Sequence, residues 1–258
     1  MKVHPLSAIV NPTPLTPKPG SPQNRRARHN PELIACPGTL TQLDSLRHNP
    51  IMLILASASP RRRELLTQAG FEFQVHPAHI PEDPLPREDP IAYVTRLARE
   101  KAEAVYREIL AGVPDATSER REGASSGHGS WVVLGADTTV TLDNHILGKP
   151  ESEEDAARML RLLSGRTHRV ITGVALLSAT QTQVAAEVTA VQFLSLSEEE
   201  IASYIATGEP GDKAGAYAIQ GRAARWIPRI EGNYCNVVGL PISLVSTLLQ
   251  SFDPQRLP

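Results

Sequence analysis

Six apolar residues from Ile51 to Ala56 run directly into Ser57-Ala58-Ser59-Pro60, and that junction constrains the fold more than any other stretch. A short aliphatic run suits a buried strand, the serines offer N-cap hydroxyls, and proline suits the first helical turn. The predicted unit is strand, tight turn, helix start. The helix is expected to pass through Arg63-Glu64-Leu65-Leu66 to a C-capping Gly70, with Phe71 to Val75 alternating as a second strand.

What precedes this junction is different in kind. Residues 1–50 hold nine of the 22 prolines, six Lys/Arg against two acids, and no Phe, Trp or Tyr. Such a composition buries too little apolar surface to offset chain entropy, so a disordered, Pro-rich N-terminal extension is expected there. It has no apolar core of the signal-peptide kind, and its prolines oppose the amphipathic helix of a transit peptide. Met52, directly before the strand, is a credible start of translation. The folded part is then residues 51–253.

Along that part, Ile91, Val94, Leu97, Ala98, Ala102 and Val105 recur at helical spacing, which predicts a long amphipathic helix to about Leu110. The proline-rich Pro77 to Pro90 before it reads as a loop carrying several acids. Residues 114–130 are Gly, Ser and charge without periodicity, a flexible surface insertion. Trp131 to Leu134 reads as a strand ending at Gly135-Ala136-Asp137, with Thr138 to Leu142 continuing extended and Asp143-Asn144 as a turn. Ser152 with Asp155, and Ser197 with Glu200, form capping-box patterns for helices reaching Leu163 and Gly208. Val170 to Ser178 and Val184 to Leu194 read as paired strands, Tyr217 to Ile219 and Trp226 to Ile230 as shorter ones. Pro241 opens a terminal helix to about Phe252. Strands and helices mix without a regular βα period, so the expected class is α/β with antiparallel portions.

Bulk properties exclude several functions. The net charge of −2 divides into +4 in residues 1–50 and −6 in the remainder. An acidic body with eleven aromatics and no basic stripe argues against long nucleic acid as the main partner. The only cysteines, Cys36 and Cys235, allow no disulfide framework or CxxC zinc pair, and a reducing, cytoplasmic setting follows. The longest apolar run, around Val170 to Ala179, is about half a membrane span.

Four segments carry candidate chemistry. Ser57 to Arg63 places hydroxyls, a helix N-terminus and Arg61, Arg62 and Arg63 together. Three arginines at the positive end of a helix dipole are disfavoured unless an anion compensates them, which makes this a phosphate-site design; a solvated basic first turn is the plain alternative. Asp137, emerging from an apolar strand, can hold a divalent cation or accept a proton from water, and Lys149 in Gly148-Lys149-Pro150 offers a point charge to phosphate; taken by itself, the segment is better read as an ordinary hairpin with Asp137 a satisfied turn former. Glu82 and Lys101 are lone charges, read individually as solvated. Gly208 to Gly221 combines four glycines with Asp212, Lys213 and Gln220, whose amide suits a base edge, although loop flexibility alone would also account for it. His168 is taken as structural.

In this order the segments resemble the Maf family of nucleotide pyrophosphatases, over about Met52 to Phe252. The resemblance rests on Leu55-Ala56-Ser57-Ala58-Ser59-Pro60-Arg61-Arg62, Arg96-Leu97-Ala98-Arg99-Glu100-Lys101-Ala102, Gly135 to Thr138, Leu147 to Pro150, Leu163 to Val174 and Gly208 to Gly221. It implies a two-lobed, mixed-sheet α/β fold that hydrolyses a nucleoside triphosphate to the monophosphate and pyrophosphate with a divalent cation, Mg²⁺ or Mn²⁺. By the same resemblance Ser57, Arg61 and Arg62 bind phosphates, Glu82, Lys101 and Lys149 complete the charged pocket, and Asp137 is the proton acceptor. Glu82 and Asp137 are then the metal ligands, Glu82 being aligned in preference to Asp83. The GADT and YxIQG forms look like the branch acting on dTTP and UTP, with modified pyrimidine nucleotides as further candidates; Arg61, Thr138 and Gln220 become specificity positions. Pro81, where an acid is common, departs from the family pattern. The resemblance and the apolar C-terminal helix point to a homodimer. The alternative function is a non-catalytic nucleotide or nucleic-acid binding regulator of septum formation and cell division.

Overall fold

A computed structural model describes residues 51–112 and 131–252; the extension at 1–50 and the insertion at 114–130 lie outside the described residues. The opening unit forms as the sequence dictates. Strand β1 (Met52–Leu55) leads through Ser59, the N-cap, into α1 (Pro60–Gln68), and β2 (Phe73–Val75) returns parallel to β1. Helix α1 ends at Gln68 with Ala69 as its C-cap, one residue before the expected cap at Gly70; Gly70, at φ 79°, takes the left-handed turn that follows.

The long helix α2 (Pro90–Gly112) buries Tyr93, Val94, Leu97, Ala98, Lys101, Ala102 and Val105 on one face, while Ile91 is exposed. Strand β3 (Trp131–Leu142) is continuous through Asp137, and Asp143 and Asn144 (φ 51° and 63°) turn it into β4 (His145–Leu147). Two positive-φ residues between antiparallel strands form the primed hairpin turn that the Asp-Asn pair suggested. Then follow α3 (Glu153–Leu163), β5 (Thr167–Leu177), β6 (Thr182–Gln192), α4 (Glu198–Ile205), three short 3₁₀ turns, β7 (Arg229–Glu231), α5 (Tyr234–Val238) and α6 (Ile242–Gln250).

One mixed sheet runs β2-β1-β3-β5-β6-β7, parallel between β2, β1 and β3 and antiparallel beyond, with β4 added to β3. Among the described residues four apolar clusters sit along it, two smaller ones lying beneath α2. Of the two larger, Leu53, Leu65, Leu66, Leu134, Val174 and Val245 belong to one, and Val140, Leu160, Val170, Phe193, Tyr204 and Trp226 to the other. Strands β3 and β5 contribute to both.

Several local expectations are corrected. Tyr217 to Ile219 is not a strand: Gly215 and Ala216, at φ 69° and 59°, twist the chain into 3₁₀ turns before it. Trp226 ends another 3₁₀ turn, leaving only Arg229–Glu231 in the sheet. Ser197 and Glu200 form the full reciprocal capping box, but α4 stops at Ile205. At α3 only half the box exists: Ser152 accepts from Asp155 N, while the Asp155 carboxylate accepts from Glu151 N.

Helix α2 lies unusually close to the sheet. A Cβ at Gly135 would collide with the Ala98 carbonyl, and one at Gly173 with the Val94 carbonyl. Both glycines therefore set the distance at which α2 presents its side chains to β3. Gly135→Ala is expected to cost about 2 kcal/mol by overpacking, read from urea unfolding, and to reduce turnover by moving Lys101 away from Asp137.

Candidate active site

The site forms where β1 stops and β3 continues. β1 pairs with β3 as far as Leu55 opposite Leu134, and β4 joins only at Val140. Gly135 to Thr139 thus present an edge without a strand on it, beside the carboxyl end of β1, a usual place for ligands in α/β sheets. A cleft of about 620 Å³ opens there. Ser57, Arg61, Arg62, Glu82, Lys101, Asp137, Thr138, Lys149 and Gln220 all line it, so the residues given a role by the family resemblance come to one place, while Arg63 is exposed outside it.

Strand alternation divides the work between two faces. Asp137 points to the α2 face, where Lys101 Nζ lies 2.7 Å from Asp137 Oδ1 and 2.7 Å from Glu82 Oε1. Lys101 and Asp137 are each 7% exposed, so the buried ammonium depends on the acceptors around it, Asp137 and Glu82. The reading of Lys101 as a solvated charge is thereby overturned: the helix turns it inward. Burial pushes the Asp137 carboxyl above the ordinary carboxylate range, and Lys101 and Arg62 pull back only part of that. Burial also works to raise Glu82, but it is half exposed, and the hydrogen bond and charge of Lys101, with Lys149 and Arg62, hold it below the ordinary range. Two carboxylates on one ammonium are thus driven in opposite directions.

The Glu82 loop is pinned to α2. Tyr93 Oη donates to the Glu82 carbonyl (2.9 Å), and Arg96 donates to Glu88 at 2.7 and 2.8 Å and to the Asp83 carbonyl at 3.1 Å. Glu82 carries its carboxylate to Lys101 and lines the cleft, whereas Asp83 contributes its backbone carbonyl to Arg96 and does not line it.

Thr138, one residue on, points to the α1 face. Arg62 there donates through Nε to the Gly239 carbonyl (2.8 Å), through Nη1 to the Ala136 carbonyl (2.9 Å) and Ser57 Oγ (3.1 Å), and through Nη2 to Thr138 Oγ1 (3.0 Å). Its guanidinium is buried, and burial lowers its basicity against the opposing charges of Asp137 and Glu82. The expectation of a simple phosphate ligand needs correcting: four of five N–H groups are committed within the protein, leaving one on Nη2 for a ligand. Arg62 chiefly caps the open β3 edge and holds Ser57 and Thr138. Thr138 is further tied to Thr172 Oγ1 (2.9 Å), which in turn donates to the Asn236 carbonyl (3.1 Å).

Arg61 is the freer arginine, its Nη1 3.9 Å from Asp212 Oδ2 with both side chains partly open. Lys149 and Gln220 are exposed on the cleft wall. The helix-dipole conflict at α1 is resolved within the protein for Arg62, by carbonyl oxygens, and for Arg61 by Asp212. Lys213, singled out with Asp212 in the glycine-rich block, also lines the cleft. Tyr93 and Thr172 were missed as parts of this region. Nothing local marks Tyr93 or Thr172, whose partners are remote in sequence.

Comparison with known proteins agrees with this architecture. The family described as Maf-like protein matches residues 52–252. A dTTP/UTP pyrophosphatase of Koribacter versatilis is 50% identical over 206 residues, covering 80% of this chain and 97% of that protein. Proteins of the same description from Geobacter sulfurreducens (51% over 192 residues, 74% and 91% covered) and Thermococcus onnurineus (46% over 194 residues, 75% and 94% covered) are similarly close. From the strand-turn-helix entry to Gly221, the ordered blocks, the mixed sheet and these similarities place the chain in the Maf family.

Proposed function

We propose that this chain is a nucleoside triphosphate pyrophosphatase that hydrolyses dTTP and UTP, and modified pyrimidine nucleotides, to the monophosphate and pyrophosphate. The observation that carries the reading is the Asp137–Lys101–Glu82 cluster, 2.7 Å on each side, on the floor of a cleft whose walls supply Arg61 and Lys149. The substrate follows from the names of the similar proteins. The catalytic unit on this reading is residues 51–253, acting on free nucleotides in the cytoplasm, with a second copy of the chain as its partner.

Asp137, held by Lys101 and poised upward by burial, takes a proton from the attacking water. The new bond forms between that water's oxygen and the α-phosphorus, the α-phosphorus to bridging-oxygen bond breaks, and pyrophosphate leaves with the electron pair. A triphosphate carries about four negative charges, so local cations are enough and the whole protein need not be basic. Arg61 and Lys149, both lining the cleft, supply cations for the phosphates, and Arg62 holds Ser57 and Thr138 in place.

Glu82 and Asp137 give hard oxygen donors side by side, and no group of three or more His, Cys, Asp or Glu that could hold an ion occurs among the described residues. That donor set fits a hydrated Mg²⁺ or Mn²⁺ shared with substrate phosphates rather than a cation caged by protein. Bound there, the ion would neutralise phosphate charge.

Hydrolysis in ¹⁸O-water tests the assignment. With Mg²⁺ or Mn²⁺ and dTTP or UTP, the label is expected in the nucleoside monophosphate, with unlabelled pyrophosphate released. Label in pyrophosphate, or release of orthophosphate, would contradict attack at the α-phosphorus.

A further inference from the structure

The segment carrying Gln220 is a tight turn from Ala218 to Gly221, closed by one backbone bond from Gly221 N to the Ala218 carbonyl (3.2 Å). A turn with a single internal bond does not fix a side chain well. This one is tied from outside at both ends. Glu209 accepts from Arg222 N with both carboxylate oxygens (3.1 and 3.2 Å). Tyr204 Oη donates to Glu209 Oε1 (2.8 Å) and accepts from Ala218 N (3.2 Å). Tyr204 is 1% exposed and stands edge-on to Trp226, ring centroids 5.2 Å apart, so the anchor is rigid. A Cβ at Gly221 would overlap the Glu209 carboxylate, which makes glycine there the space in which that carboxylate sits.

We infer that Glu209, relayed through Tyr204, is the positioning residue that fixes the Gln220 turn and thereby sets base selectivity. The inference rests on the reading of the cleft as a dTTP/UTP hydrolase in which Gln220 meets the base. Among the described residues the Glu209 carboxylate bonds Tyr204 Oη and the Arg222 N–H and no cleft-lining side chain, so its effect on the base passes through the Gln220 turn.

The test compares kcat/KM for dTTP and dCTP in Gln220→Ala, Glu209→Ala, Glu209→Gln, Tyr204→Phe and the Glu209→Ala/Gln220→Ala pair, each checked for its melting temperature. Glu209→Ala is expected to lower the dTTP preference about tenfold, the worth of one polar contact, through KM rather than kcat. Glu209→Gln, which keeps an acceptor, should restore most of it, and the double variant should lose no more than Gln220→Ala alone. Unchanged selectivity in Glu209→Ala beside an altered Gln220→Ala overturns the inference, as do losses that multiply in the double variant. Should Glu209→Ala not fold, Tyr204→Phe decides, because it removes both relayed bonds and keeps the ring packed: lost preference supports the inference and retained preference overturns it. If Gln220→Ala has no effect on selectivity, the base-reading role falls, and the inference with it.

Discussion

Asp137→Asn is expected to lower kcat for dTTP by about a hundredfold to ten-thousandfold, the usual worth of a positioned general base, while the protein melts no earlier than the wild type. Asparagine matches the carboxylate in shape and can still accept from Lys101 Nζ, now 2.7 Å from Asp137 Oδ1, but it cannot take a proton from water. The stability half follows from linkage. Burial raises the folded-state affinity of Asp137 for its proton above that in the unfolded chain. Stability from this group is then fully present below the unfolded value and is lost as pH rises through the folded one. At neutral pH the ionised, buried carboxylate is therefore a net cost, which the amide removes. The acid limb of the wild-type kcat/KM profile should lie above the ordinary carboxylate range and should be absent from the variant's residual rate. A variant retaining more than about a tenth of the activity would remove Asp137 from the proton-acceptor role.

His168 governs the second large effect, on acid stability. It is 2% exposed, its Nε2 lies 2.7 Å from Tyr217 Oη, and Nδ1 has no partner among the described residues. Its ring stands edge-on to Phe193 and Tyr217, at 5.0 and 5.3 Å between centroids. Charging the imidazole would put an N–H at Nδ1 facing no acceptor, and burial lowers its pKa from 6.5 to about 4. The unfolded chain therefore binds the proton first on acidification. Stability from neutral His168 is fully present above about pH 6.5 and is lost as pH falls to about 4, a drop of about 3 kcal/mol. Urea unfolding at pH 7.5, 5.5 and 4.5 should show this decline. His168→Phe, which keeps the edge-on packing but leaves Tyr217 Oη without its partner, should be weaker at pH 7.5 yet lose about 3 kcal/mol less on acidification. An identical acid slope in the variant would place the proton uptake elsewhere.

What was legible in the sequence was local or carried by the joint pattern. The apolar run at Ile51, the serines after it, the α2 periodicity and the Asp143-Asn144 turn act within a few residues, and each formed as expected. The hairpin does not compete with the proposed role of Asp137, since β4 pairs with β3 only from Val140 on and Asp137, earlier in the same strand, lines the cleft. What was not legible depends on distance. Glycines in the stretch before Tyr217 signalled a loop, but not the positive φ at Ala216 that keeps Tyr217 to Ile219 out of the sheet. Three consecutive arginines looked alike, and only the fold assigns Arg62 to remote carbonyls, Arg61 to Asp212 and Arg63 to solvent. Asn236, completely buried with bonds to the Val170 carbonyl and Thr189 Oγ1, carries no sequence signal at all.

The Arg62 to Gly239 bond spans 177 positions, and that span bears on how the enzyme comes into being. Parallel pairing of β1 with β3 already joins segments separated by a long helix, and such non-local closures are the slow steps of folding. Ser57 and Thr138 receive their support from an arginine whose last acceptor arrives with α5 and the turn after it. A nascent chain that has reached Gln220 thus carries every side chain of the proposed site but lacks the carbonyl on which Arg62 closes. Activity becomes a report on completion: in a refolding experiment it returns with the final docking of the C-terminal segment, after most of the sheet has formed.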